Sequence, residues 1–342
     1  MLRVVALVLL WRGSRFEPDC TEEEQPSRAR AALERFGFAS LPDFAHPGLR
    51  LAHLEDDVFP IFLIDGFLDA DELGQLRALA DDDARAGFAP ARAGSVAGGR
   101  PTTRDSVAFR LGRSETASLR DRISRVLRTE PGAWSSGKYV RYAKGGQFET
   151  HMDGNLDFTV HFNRAVGEPA HANVVWTCFV YLCDVARGGE TAWLKYDDDA
   201  ADDVEFFRVA PRAGRAVFFP VTAQRVPAAF EAAYRALLRK PAAAWTDDDA
   251  AFRRAGAWRM DPLAPEWRDG RDAEIEFYPT HARHAGLPVA DGEKHLLTFW
   301  CYTRARSDAA WLEAGSNDFV GDAARRGRPD VLLRADSAAE WS

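Results

Sequence analysis

The stretch FETHMDGNLDF, Phe148 to Phe158, carries His151 and Asp153 two residues apart. On an extended strand, residues i and i+2 leave the backbone on the same face, so an imidazole and a carboxylate can stand side by side. The pair alone means little, because the chain has eight His and Asp is common. A second His would complete a 2-His-1-carboxylate triad. That donor set holds Fe(II) on one face and leaves positions open for substrate and O2. The candidates for the third ligand are His161, His171, His281, His284 and His295.

The run HAGLPVADGEKHLLTFWCYTR favours His284, with Lys294 ten residues after it. Asp291-Gly292 is a turn signal. A turn there is expected to fold the Lys-bearing strand back beside the His-bearing segment. From Lys294, one strand face carries Thr298, Trp300 and Tyr302, and the other carries His295, Leu297, Phe299 and Cys301. An ammonium aimed inward beside Trp300 is costly unless it meets an anion. A dicarboxylate cosubstrate would supply one.

Strands must position these residues. KYVRYA, NVVWTCFVYLC, ETAWLKY, EFFRVAP, RAVFFPV, EIEFYP and HLLTFWCYTR are strand candidates, separated by Gly, Asp or Pro turns. Upstream, PIFLIDGF reads as a buried strand ended by Asp65-Gly66, and SVAFRL as another. DADELGQLRALADDD and ETASLRDRISRVLR have helical periodicity, as does SRARAALERFGF. Helices first and antiparallel-looking strands afterwards predict an α+β chain with a β-barrel or jelly-roll core. Helical patterns return between Val221 and Asp272, in PAAFEAAYRALLRK and TDDDAAFRRAGAW, and read as an insertion between barrel strands. The expected organisation is an arm over 1–57, a catalytic domain over 58–306 and a surface tail over 307–342.

Composition sets outer limits. The net charge of −8 argues against a nucleic-acid groove as the main surface. An apolar fraction of 46% and a charged fraction of 28% suit an ordinary globular chain. Cys178, Cys183 and Cys301 lie in apolar segments and read as buried free thiols, and Cys20 makes no metal-like spacing with them. The apolar run Val4 to Trp11 is too short to span a bilayer. It matches the core of a signal peptide but has no clear small-residue cleavage site after it.

The motifs together resemble the prolyl 4-hydroxylase family of Fe(II)/2-oxoglutarate dioxygenases, whose core is a double-stranded β-helix. The residues that carry the resemblance are Tyr142, Gly146, Gln147 and Phe148 before His151-x-Asp153 in YAKGGQFETHMD. TCFVYLCDVARGGET follows, with Thr177, Tyr181, Leu182, Asp184 and Gly188 to Thr191, then GRAVFFP. Last come His284, Gly286, Pro288, Val289, Gly292 and Lys294. The likeness spans about residues 58 to 306.

It implies that His151, Asp153 and His284 hold Fe(II), and that Lys294 binds the far carboxylate of 2-oxoglutarate. Tyr142 and Thr191 would be further cosubstrate contacts, and Trp300 would shape the inner wall. Lys rather than Arg at this post resembles the procollagen-type branch. That branch uses O2 and ascorbate, releases succinate and CO2, and hydroxylates peptidyl proline in a Pro-rich chain. The likeness also implies the endoplasmic reticulum, with a cytoplasmic location as the alternative.

Departures stand beside the matches. Phe148 takes the place of a Tyr found in many members, and Trp193-Leu194 replaces a Phe-Pro pair. The insertion is longer than the family norm. Three other readings stay open: the same chemistry on a free amino acid or other small molecule, a silent peptide-binding barrel, and a cupin-like structural zinc site.

Overall fold

FPIFLI, from Phe59 to Ile64, forms a strand buried at every position. VVWTCFVY, from Val174 to Tyr181, does the same. Unbroken apolar runs of this kind form strands covered on both faces. The computed structural model of the chain describes residues 25–35, 38, 41–55, 59–81, 89–90, 104–153, 174–197, 202–221, 236, 244, 246, 258–261, 276–279 and 281–302.

In chain order the elements are α1 (Gln25–Arg35), β1 (Arg50–Glu55), β2 (Phe59–Ile64), α2 (Ala70–Asp81), β3 (Ala89–Pro90), β4 (Val107–Arg110) and α3 (Ala117–Leu127). Then follow β5 (Lys138–Tyr142), β6 (Phe148–His151), β7 (Val174–Tyr181), β8 (Arg187–Gly188), β9 (Thr191–Asp197), β10 (Asp202–Val209) and β11 (Ala216–Pro220). The last are β12 (Trp258–Asp261), β13 (Glu276–Pro279), β14 (Arg283–Gly286), β15 (Val289–Asp291) and β16 (Lys294–Tyr302).

An eight-stranded sheet has the order β1-β2-β11-β7-β16-β5-β4-β3, and a four-stranded sheet the order β10-β9-β14-β6. The sheets are antiparallel and face one another, the layout of a jelly roll. Between them pack aromatic side chains, with the Trp193 ring 5.4 Å from Phe219 and 6.1 Å from Phe179. The other face of the large sheet is covered by helices. In α3, Leu119, Ile123, Val126 and Leu127 are buried at helical spacing. Helix α2 starts with a reciprocal cap. The Glu72 amide donates to Asp69 Oδ1 at 2.8 Å, and the Asp69 amide donates to Glu72 Oε2 at 3.1 Å. Arg122 of α3 then pairs with Glu72 and ties the two helices together.

Three expectations are corrected. Residues 50–55 do not belong to a separate arm, because β1 pairs with β2 from Arg50↔Leu63 to Glu55↔Phe59. Helix α1 also buries Ala29 and Leu33 in the same core. Second, the His284 strand does not lie beside the Lys294 strand. Gly292, at φ +86°, makes the expected turn, but β14 pairs with β9 and β6 while β16 pairs with β5 and β7. The chain crosses from one sheet to the other, so the two residues meet across the interior. Third, Trp258–Asp261, expected within a helical insertion, is a strand paired with β13. The rest of the 221–272 segment lies almost wholly outside the described residues, as do Cys20, residues 1–24 and residues 303–342. Among the described residues, no helix is long and apolar enough to cross a membrane. Cys178 and Cys301 are buried free thiols, whereas Cys183 is only half-buried.

Candidate metal and cosubstrate site

Strands β6 and β14 pair so that His151 lies directly opposite His284. Cross-strand partners face the same way, and the two imidazole rings are 4.3 Å apart between centroids. Asp153 follows just beyond the end of β6. The three side chains present ligand atoms that all lie within 4.8 Å of one another. Asp153 Oδ1 is 3.8 Å from His151 Nε2, and Oδ2 is 3.6 Å from His284 Nε2.

The protons on both rings are fixed by the backbone. His151 Nδ1 lies 2.8 Å from the Glu149 carbonyl, and His284 Nδ1 lies 3.0 Å from the Ala282 carbonyl. A carbonyl only accepts, so each Nδ1 carries the hydrogen and each Nε2 turns its lone pair inward. Burial, reinforced by neighbouring His284, holds His151 well below the usual imidazole pKa and so neutral. Metal ligation needs that form. Two imidazoles with Nε2 turned inward and a carboxylate on one side of a pocket fit a divalent iron with open positions.

Thr177 of β7 donates to Asp153 Oδ2 at 2.7 Å and orients the carboxylate from the opposite sheet. Phe148 stacks on His151 with centroids 3.6 Å apart, so the ring that replaces a Tyr braces the ligand. Trp193 is fully buried near His284, at 6.4 Å between rings.

A pocket opens beside the triad. Arg104, Lys138, Tyr142, Thr191, Lys294 and Trp300 all line it. Lys294 is 2% exposed, and its Nζ donates to Thr191 Oγ1 at 3.4 Å. The Tyr181 hydroxyl donates to the same Thr191 oxygen at 2.8 Å. The Lys294 ammonium also faces the Tyr142 ring, 5.4 Å from its centroid. Burial pulls its pKa down to about 7, opposed by the negative charge of Glu190. The residues expected around a dicarboxylate therefore share one pocket.

The other histidines stand apart. His281 is buried and stacks against Phe59 at 6.1 Å. His295 faces away, its Nδ1 2.7 Å from the Tyr139 hydroxyl. His161 and His171 lie outside the described residues. Sequence reasoning missed Arg104, Lys138 and the orienting role of Thr177. A signal for Lys138 existed: it precedes Tyr142 by four residues on one strand, so period two puts both on one face. Arg104 ends the Gly-rich stretch ARAGSVAGGRPTTR, where periodicity has nothing to say.

Residues 137–247, about a third of the chain, match the family model described as the 2OG-Fe(II) oxygenase superfamily. That stretch contains His151, Asp153, Thr177 and Thr191, and ends before His284 and Lys294. No curated protein matches the chain. Among solved structures, it is similar to a viral collagen prolyl hydroxylase from Paramecium Bursaria Chlorella virus-1 in a 2OG complex. There the identity is 18% and the TM-score 0.37, covering 71% of this chain and 96% of that one. A Pseudomonas putida prolyl-4-hydroxylase gives 15% identity and a TM-score of 0.37, covering 81% and 100%. The epimerase SnoN from nogalamycin biosynthesis gives 13% identity and 0.34, covering 72% and 80%.

Proposed function

We propose that this chain, with its 2OG-Fe(II) oxygenase superfamily segment, is an Fe(II)- and 2-oxoglutarate-dependent dioxygenase. It hydroxylates an unactivated C–H bond, on the pattern of a prolyl 4-hydroxylase acting on peptidyl proline. The observation that carries this reading is one pocket holding both His151–Asp153–His284 and the buried Lys294. The peptidyl-proline part rests on the motif resemblance. On the same ground the core is read as the double-stranded β-helix form of the jelly roll, and ascorbate as an accessory reductant.

Bound iron and 2-oxoglutarate together supply an oxidant able to break a C–H bond, with succinate and CO2 as coproducts. The chain's own residues prepare the place for it. His151 and His284 present their Nε2 atoms to the site, each ring held through Nδ1 by a backbone carbonyl. Thr177 keeps Asp153 turned toward them. Lys294 receives the far carboxylate, and its ammonium is already placed by Thr191 and Tyr142. Phe179 and Leu296 on the large sheet line the pocket with apolar surface that limits water beside the reacting carbon.

The test is succinate release from 2-oxoglutarate with Fe(II), with and without a Pro-Pro-Gly repeat peptide. Turnover should be stimulated by the peptide and abolished by His151→Ala, Asp153→Ala or His284→Ala, while His281→Ala keeps it. Succinate release that is independent of added Fe(II), or that survives loss of His284, would sink the assignment.

A further inference from the structure

Cations line the pocket at more than one place. Among the described residues, Arg104, Lys138, Lys294 and the carboxylate of Asp153 line it. Strand register separates the two lysines. On the β5–β16 pair, Lys294 lies opposite Tyr142 and Lys138 lies opposite Thr298. Four residues along a strand is about 13 Å, and an even separation keeps both side chains on one face.

The triad lies between these two ends. Gly286, two residues past His284, is at the Lys294 end: a Cβ added there would lie 3.8 Å from Lys294 Nζ. Asp153 leans toward the other end through Thr177, which pairs across the strands with Trp300. The Trp300 ring lies 5.8 Å from Lys138 Nζ. A 2-oxoglutarate that reaches from the metal to Lys294 fills one half of this axis. The other half runs from the metal to Lys138.

Lys138 is 6% exposed. Burial first, then Arg104 and Arg110, push its ammonium well below the usual lysine pKa, and Asp153 opposes them. An arriving carboxylate would offset both the burial and the like-charge crowding. A flat aromatic wall beside the cation leaves room for an apolar ring or chain next to that carboxylate.

We infer that Lys138, beside the Trp300 ring, forms a second anion subsite that receives a carboxylate of the prime substrate, on the side of the triad away from Lys294. This rests on the dioxygenase reading of the pocket and narrows its substrate to an anionic one. The carboxylate could be the α-carboxylate of a small acid or an acidic side chain in a peptide. The chemistry is shared, and the probes separate the sources.

The experiment uses the full chain loaded with Zn(II) and 2-oxoglutarate, which binds without turning over, and follows tryptophan fluorescence. One probe pair is N-acetyl-L-proline and its N-methylamide. The other is a Pro-Pro-Gly repeat peptide with Asp beside a proline and the same peptide with Asn. The carboxylate member of at least one pair should bind about tenfold or more tightly than its neutral partner. The pair that shows the preference identifies the source. Lys138→Met should reduce the preference to under about threefold, and Lys138→Arg should retain it. Lys138→Gln serves if the Met variant does not fold, and a melting curve accompanies each variant. Equal binding of both members in each wild-type pair overturns the proposal without any variant, as does a folded Lys138→Met protein that keeps the preference. Succinate release with Fe(II) is measured in parallel. Its absence with every probe removes the dioxygenase reading, while the Zn(II) fluorescence still decides the anion subsite.

Discussion

At the scale of single residues, the site is a set of proton and charge placements. Lys294 should make cosubstrate binding depend on pH. Its pKa of about 7 in the free pocket is below the usual 10.5, so the charge is lost as pH rises through about 7. The far carboxylate of 2-oxoglutarate needs the protonated form. Affinity should therefore be full below about pH 7 and fall by up to about tenfold per pH unit above it. Lys294→Arg cannot lose its proton in this range, so its KM should stay flat. The measurement is the 2-oxoglutarate KM from pH 6 to 9 in both proteins, and parallel profiles would remove Lys294 from this role. Thr177 acts on the metal through Asp153. Thr177→Val keeps the shape but leaves Asp153 Oδ2 without its 2.7 Å donor. A group that orients a ligand in this way is worth about 10- to 100-fold in metal affinity. Fe(II) titration of the variant should show that loss while its melting temperature changes little.

At the scale of elements, helix α2 is held by a cap and by a neighbour. Asp69→Ala removes one arm of the reciprocal cap and should cost about 1 kcal/mol. Glu72→Ala removes the other arm and also the pairing with Arg122 of α3, where Glu72 is largely buried. It should cost more, on the order of 2 kcal/mol, because a part-buried arginine then loses its carboxylate. Denaturant melts of the two variants check the order, and a larger loss in Asp69→Ala would contradict it. Glycine matters where β8 pairs with β15. Gly188 has φ +77°, and a Cβ there would lie 2.4 Å from the Pro288 carbonyl oxygen. Only a residue without a side chain lets these backbones approach. That approach brings Gly189 against the Lys294 side chain.

At the scale of the whole molecule, the N-terminal segment is part of the core. β1 sits at one edge of the large sheet, and Phe38 packs on Trp176 with rings 5.0 Å apart. Starting the chain at residue 58 would remove α1, β1 and Phe38 and uncover β2, which is buried along its whole length. An exposed apolar edge strand invites aggregation. The truncated protein should melt at least about 10 °C lower or lose its cooperative transition. A truncated protein with the melting curve of the full chain would return residues 25–55 to the status of an arm.

The chemistry was legible in the sequence where it depends on local period and spacing. His151 and Asp153 are two residues apart and do meet at the site, although β6 ends at His151 and the bend after it, not the strand period, brings Asp153 round. Lys294 and Trp300 fall on one face of β16 by the strand period, and both line the pocket. The apolar runs of β2 and β7 read directly as buried strands. Sheet membership was a different matter. Nothing local to HAGLPVADGEK says whether the chain after Gly292 turns back within one sheet or crosses to the other. The choice is made by which strands offer free edges, and in the folded chain β14 finds β6 and β9 while β16 finds β5 and β7. That crossing puts His284 and Lys294 on opposite walls. Thr177, Arg104 and Lys138 became site residues in the same way. Each is ordinary in its own segment. Pairing of β7, β16 and β5 sets Thr177 and Lys138 beside Trp300. The packing of the sheets brings Thr177 to Asp153, and Arg104 lies over Phe148. None of this is local, because long-range pairing depends on the whole set of strands.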